Sequence, residues 1–112
     1  MATAPRHLPM PEAVLRPMRE DDVPDVVAAE RDSYAFPWSE PVFRDCLRVG
    51  YLCRVLEVDG RIAGYGILSV GAGEAHILNV CVRPEHRCRG LGRQLVTALF
   101  DIARAAGAEI GR

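Results

Sequence analysis

Residues 77 to 107 leave few ways to fold. Ile77-Leu78-Asn79-Val80-Cys81-Val82 is an apolar run, Arg83-Pro84 interrupts it, and Arg87-Cys88-Arg89-Gly90-Leu91-Gly92-Arg93 leads into a helical pattern. The run carries apolar side chains on both faces, which predicts a central strand covered on both sides. From Leu91, apolar residues return at Leu95, Val96, Leu99, Phe100, Ile102, Ala103 and Ala106, with Arg93, Gln94, Thr97, Asp101 and Arg104 between them. That spacing predicts an amphipathic helix, and Gly107 suits its C′ position. Gly90 and Gly92 stand where the helix begins, although glycine is a poor helix former; close backbone approach to a ligand explains them. Such a loop points free N–H groups and the positive end of a helix dipole at one spot, which suits a phosphate. A plain turn is the other use of these residues, and the strand before and the helix after favour the anion loop.

The preceding chain divides in the same way. Ala13 to Arg16 reads as a short strand. Asp21 or Asp22 can cap a helix to about Asp32, with Val23, Val26, Val27 and Glu30 at helical spacing. Ser39 can cap a second helix with Pro41 in its first turn and Val42, Phe43, Cys46 and Leu47 on one face. Tyr51 to Val58 and Arg61 to Val70 read as strands joined by Asp59-Gly60, a strong hairpin signal, and Gly71 to Gly73 form the next turn. The expected fold class is α/β, with a mixed, mostly antiparallel sheet flanked by helices in the order β-α-α-β-β-β-α. Residues 1–12 read as a flexible proline-rich leader and residues 13–112 as one domain.

Composition excludes several functions. No apolar run approaches the roughly 20 residues of a membrane helix, and the start lacks the apolar core of a secretory signal. The formal net charge of −1 gives no overall attraction to nucleic acid or anionic lipid. The four cysteines, Cys46, Cys53, Cys81 and Cys88, form no C-x-x-C pair. They read as reduced, mostly buried thiols of a cytoplasmic protein, with Cys88 on an exposed loop, and no metal site is expected.

Arg87-x-x-Gly90-x-Gly92, preceded by V-x-V-x-P, resembles the acetyl-coenzyme A pyrophosphate loop of the GNAT superfamily of N-acetyltransferases. Glu74-Ala75-His76-Ile77-Leu78-Asn79 resembles the fourth strand of its RimI type, the ribosomal-protein-alanine N-acetyltransferases. Ala35-Phe36-Pro37-Trp38-Ser39-Glu40 resembles the loop that type carries between its first two helices. The resemblance covers about residues 13 to 110 and implies an N-acetyltransferase that moves acetyl from acetyl-CoA to a protein's N-terminal amine. The implied acceptor is an alanine-starting ribosomal protein of the small subunit, with no nucleic-acid or membrane partner. Acetyl-CoA is the implied co-substrate, held by Val80, Cys81, Val82, Arg87, Cys88, Arg89, Gly90, Leu91, Gly92 and Arg93.

Phe36 and Trp38 are the expected acceptor-binding residues, since in the resembling family their loop lines the channel for the acceptor's amino terminus. Packing in the core is the other use of such aromatics. Catalytic residues stay unassigned. In the RimI type the base is a glutamate on the fifth strand and the acid a tyrosine on the next helix, and both alignments fall beyond Arg112. Glu74 and His76, which share a strand face, are the candidates within this chain, against a structural role as solvated strand residues. The expectation is a domain without its C-terminal strand, helix and hairpin, with the edge of the fourth strand unpaired. The alternative function is a truncated, non-catalytic acetyl-CoA-binding or interaction module.

Overall fold

The computed structural model describes residues 13–87, 90–107 and 109–110, the last two by their backbone alone. The elements are β1 (Ala13–Pro17), α1 (Val23–Ser33), α2 (Glu40–Arg48), β2 (Leu52–Val58), β3 (Arg61–Gly71), β4 (Glu74–Val82), α3 (Leu91–Ala105) and β5 (Glu109–Ile110). The sheet order is β1-β2-β3-β4-β5; the first four strands are antiparallel neighbours and β5 lies parallel to β4. The expected order is present, and β5 adds a pairing that the sequence reading left out. It joins β4 at Glu74 and Ala75, so this end of β4 is paired rather than free.

Each face of the sheet has its own helical cover. Val23, Val26 and Val27 of α1 and Phe43 of α2 pack on Val55, Tyr65, Ile67 and Cys81. On the other face Leu91, Leu95, Leu99 and Ala103 form one buried stripe of α3 against Leu56, Val58, Ala63, Leu68 and Ala75. The four-residue step of that stripe is the helical repeat read from the sequence. Asp59 (φ 54) and Gly60 (φ 79) both take positive φ. Those are the angles of a type I′ turn, whose twist matches the strands it joins.

β4 departs from the expectation. Ile77 and Leu78 are 37% and 39% exposed, so this is no strand covered on both sides. β4 lies one strand in from the sheet's edge, and β5 pairs only with its first two residues. The register also slips: Leu68 faces Ile77 and Ile67 faces Asn79, which leaves Leu78 as one residue too many. Cross-strand partners share a face. Ile77 therefore lies on the α3 side with Leu68, and Asn79 on the α1 side with Ile67. Without the bulge both would lie on one face.

At the other end of α1 lies a partly buried charged cluster. Both guanidinium ends of Arg16 donate to Asp22, each at 2.8 Å, and its Nε donates to Glu57 at 2.9 Å. Asp22 is the N-cap residue of α1, but its carboxylate makes no capping bond and instead accepts the Arg19 N–H at 2.7 Å. The hydrogen bond from Arg16 holds the Asp22 carboxyl below the usual carboxylate range, against burial. Ser39 likewise takes the N-cap place of α2 without a side-chain cap.

Two stability predictions follow from this frame. Asp22→Asn should lower the unfolding free energy by about 2 kcal/mol at neutral pH, the loss of a charge-assisted hydrogen bond. A carboxyl with a depressed folded pKa adds stability above its unfolded pKa and loses it as pH falls through the folded one. The gap between parent and variant in urea titrations should thus be full at neutral pH and close below the ordinary carboxylate range. A gap that widens in acid would contradict the pairing. The second concerns Gly90, which precedes α3 with φ 76, and Gly92, where an added Cβ would lie 3.8 Å from Val82. Gly90→Ala should cost about 1 kcal/mol through its left-handed backbone, whereas Gly92→Ala should hold or raise the melting temperature by improving the helix. Equal losses in thermal melts would count against this division.

Candidate functional site

A groove of about 520 Å³ lies between the segment that links α1 to α2 and residues 77–80 of β4. Tyr34, Ala35, Phe36 and Trp38 line one side, Ile77, Leu78, Asn79 and Val80 the other, and Glu30 lies between them. Glu30 is 2% exposed. It accepts the Trp38 N–H at 2.9 Å, the Asn79 side-chain amide at 2.9 Å and the Tyr65 hydroxyl. Burial, and then the bond to Glu30, raise the Tyr65 hydroxyl far above the usual phenol range, so it stays a donor. Among the described residues no arginine or histidine pairs with Glu30. Sequence reasoning placed Glu30 on the α1 stripe without a function. The available signal was a carboxylate on an otherwise apolar face, which needs buried donors.

The two aromatic residues expected at the acceptor site differ in placement. Trp38 is half-buried, with its ring centroid 5.4 Å from that of Phe43, and Phe43 meets Tyr65 edge-on at 5.7 Å. Phe36 is 93% exposed. Both line the groove.

The main chain of β4 supplies the next part. Arg83 N donates to Ala63 O at 2.7 Å, so residues alternate along β4 and Val80 and Val82 turn their N–H and C=O groups away from β3. Tyr34 donates its hydroxyl to the Val80 carbonyl, and Arg87 Nε donates to the Val82 carbonyl at 2.9 Å. Burial raises the Tyr34 hydroxyl above its ordinary value, which keeps it protonated. Cys81 points the other way, into the α1 face, where its Sγ donates to Ser33 Oγ at 3.2 Å.

β4 leads through the turn at Pro84–His86 to α3. Gly90, the N-cap, has no side chain, and the first helical bond runs from Gln94 N to Gly90 O at 3.1 Å. The amides of Leu91, Gly92 and Arg93 have no acceptor within the helix. Arg87 and Arg93 are exposed nearby in the chain, while Cys88 and Arg89 lie outside the described residues. Amides that meet no side-chain cap among the described residues, a helix dipole and arginines form the arrangement that takes an anion.

Glu74 and His76 do share a face of β4, with His76 Nε2 3.0 Å from Glu74 Oε1. Both are exposed, and neither lines the groove. A larger hollow of about 750 Å³ lies beside the β2–β3 turn. Its lining is charged, and Arg16, Asp22 and Glu57 there satisfy one another. Cys46, Cys53 and Cys81 are free and buried. Burial pushes the Cys53 thiol up to about 11 and raises Cys46 as well, which suits packing and not nucleophilic attack. No helix among the described residues is long and apolar enough to cross a membrane.

Comparison with known proteins agrees with this geometry. The profile of the acetyltransferase (GNAT) family matches residues 15–110. The ribosomal protein bS18-alanine N-acetyltransferase of Salmonella typhimurium is 37% identical over 86 residues, 77% of this chain and 58% of the relative. The crystal structure of the ribosomal-protein-alanine N-acetyltransferase from Escherichia coli superposes with a TM-score of 0.82 at 31% identity, over 87% of this chain and 63% of that one. A GNAT family N-acetyltransferase from Escherichia coli, solved in complex with CoA, gives 0.77 at 25% identity, over 92% and 62%. The chain thus spans little more than half the length of the curated relatives it matches. Since the family's profile spans most of the chain and a relative is 37% identical over 77% of it, the chain belongs to the acetyltransferase (GNAT) family.

Proposed function

We propose that this chain binds acetyl-CoA and takes part in transferring its acetyl group to the N-terminal amine of a protein, an alanine-starting ribosomal protein of the small subunit. The observation that carries this reading is the continuity of three surfaces. The start of α3, with a glycine at its N-cap, follows β4, the outward main chain of Val80 and Val82 precedes it, and the groove with Phe36 and Trp38 adjoins Val80. The names of the relatives and the CoA bound to a fold neighbour support the same assignment.

In this reading the amides of Leu91, Gly92 and Arg93 hold the pyrophosphate, with Arg87, Arg89 and Arg93 adding charge. The main chain of Val80 and Val82 pairs with the pantetheine amides. Tyr34 and Arg87 then release the two carbonyl oxygens that they cap, so those bonds are exchanged and the net cost is small. The Cys81 side chain, turned toward α1, takes no part. The acceptor peptide lies along the groove against Phe36 and Trp38. Its amine attacks the thioester carbonyl, the C–S bond breaks, and the amine proton leaves with the thiol. Holding the amine beside the thioester supplies much of such a rate. Glu74 and His76 lie outside the groove and hold no assigned step. The cytoplasm is the compartment that this acceptor implies.

Two measurements test the proposal. Incubation with acetyl-CoA and an alanine-starting peptide, read by mass spectrometry, should place one acetyl group on the α-amine and none on a peptide with a blocked N-terminus. Binding of acetyl-CoA without any transfer would support the binding-module reading instead. By calorimetry, Gly90→Val should weaken CoA binding at least about tenfold, or about 1.4 kcal/mol, while Cys81→Ala stays close to the parent. Parent-like affinity in Gly90→Val would remove the anion loop from the account.

A further inference from the structure

We propose that Glu30 is a positioning residue that fixes the Trp38 segment to the bulged strand β4 and so sets the shape of the acceptor groove. The proposal rests on the acceptor reading given above and concerns the same groove.

One carboxylate joins both walls. Its Oε2 accepts the Trp38 N–H at 2.9 Å and its Oε1 accepts Asn79 Nδ2 at 2.9 Å. Trp38 stands on one side of the groove and Asn79 on the other. The Tyr65 hydroxyl, from the middle of the sheet, gives its hydrogen bond to the same Oε1. Residues 30, 38, 65 and 79 come from α1, the α1–α2 segment, β3 and β4. Among the described residues, two other side-chain hydrogen bonds reach β4 from this side, Tyr34 to the Val80 carbonyl and Cys81 to Ser33, and neither involves Trp38.

The bulge makes the link possible. Leu78 as an extra residue brings Asn79 to the α1 face; in regular register it would point to the α3 side. The Trp38 N–H gains a carboxyl oxygen as acceptor, whereas a half-buried N–H left without one costs stability. A groove wall held this way needs no ordering when a peptide arrives, so less of the peptide's binding energy is lost. Glu30 touches no other charge among the described residues. Its role is therefore set by three neutral donors, and exchanging one donor for an acceptor breaks it.

The test uses the chain as it is, with Asn79→Asp and the double variant Glu30→Gln/Asn79→Asp. Asn79→Asp sets two carboxylates against each other and should part β4 from Glu30. The double variant restores a donor–acceptor pair with the amide now on α1, the Tyr65 hydroxyl accepting from that amide instead of donating. Trp38 is the sole tryptophan, so its emission reports this wall alone. Asn79→Asp should raise acrylamide quenching of Trp38 and raise the KM for an alanine-starting peptide about tenfold, with the CoA affinity within about twofold. The double variant should bring both readouts back toward the parent. Unchanged quenching in Asn79→Asp, or no recovery in the double variant, would overturn the proposal. A change in CoA affinity equal to that in peptide KM would also overturn it, since it would mark general loss of structure. Should no form acetylate the peptide, the proposed function fails while the quenching pattern still decides the link.

Discussion

A single surplus residue in β4 is the constraint on which the candidate site depends. Leu78 has no partner on β3, and every residue after it lies on the face opposite to the one that simple alternation would assign. Asn79 and Cys81 thereby meet α1, through Glu30 and Ser33. Val80 and Val82 pack toward the α3 side while their main-chain groups point sideways, away from β3. Removing the bulge would carry Asn79 away from Glu30 and leave a buried carboxylate one donor short.

The two buried carboxylates of the first helical region are stabilised in different ways. Asp22 is matched by a charge, the bidentate guanidinium of Arg16. Glu30 is matched by dipoles alone, from a backbone amide, a side-chain amide and a phenol. The first arrangement anchors β1 and β2 to the start of α1. The second surrounds the groove and stays sensitive to small displacements, because hydrogen bonds weaken steeply with angle. Such a division suits a protein that needs a firm frame and a shaped cleft within a thin core.

Much of this frame was legible in the residues. The apolar repeat of α3, the Asp59-Gly60 turn and Gly90 before α3 each carry a local physical signature, and each stands where that signature placed it. β4 was the failure. Its apolar run looked like a strand with cover on both faces, but exposure depends on neighbouring strands, which composition does not encode. The bulge was equally hidden, since Leu78 differs in no local property from the residues beside it. Glu30 was visible as an anomaly on an apolar stripe, yet its three partners lie eight to forty-nine residues away, beyond the reach of periodicity. Asp22 and Ser39 were found at the ends of helices for the right positional reason, although neither makes the capping bond that usually accounts for the preference.

In the proposed function the outward main chain of β4 and the start of α3 form one continuous coenzyme surface. Titrating CoA into ¹⁵N-labelled protein and following the backbone amides measures this residue by residue. The account predicts the largest shifts at Val80, Val82, Leu91, Gly92 and Arg93, saturating together. Saturable shifts confined to the charged hollow around Asp59, Gly60 and Arg61, with those five amides unmoved, would contradict it.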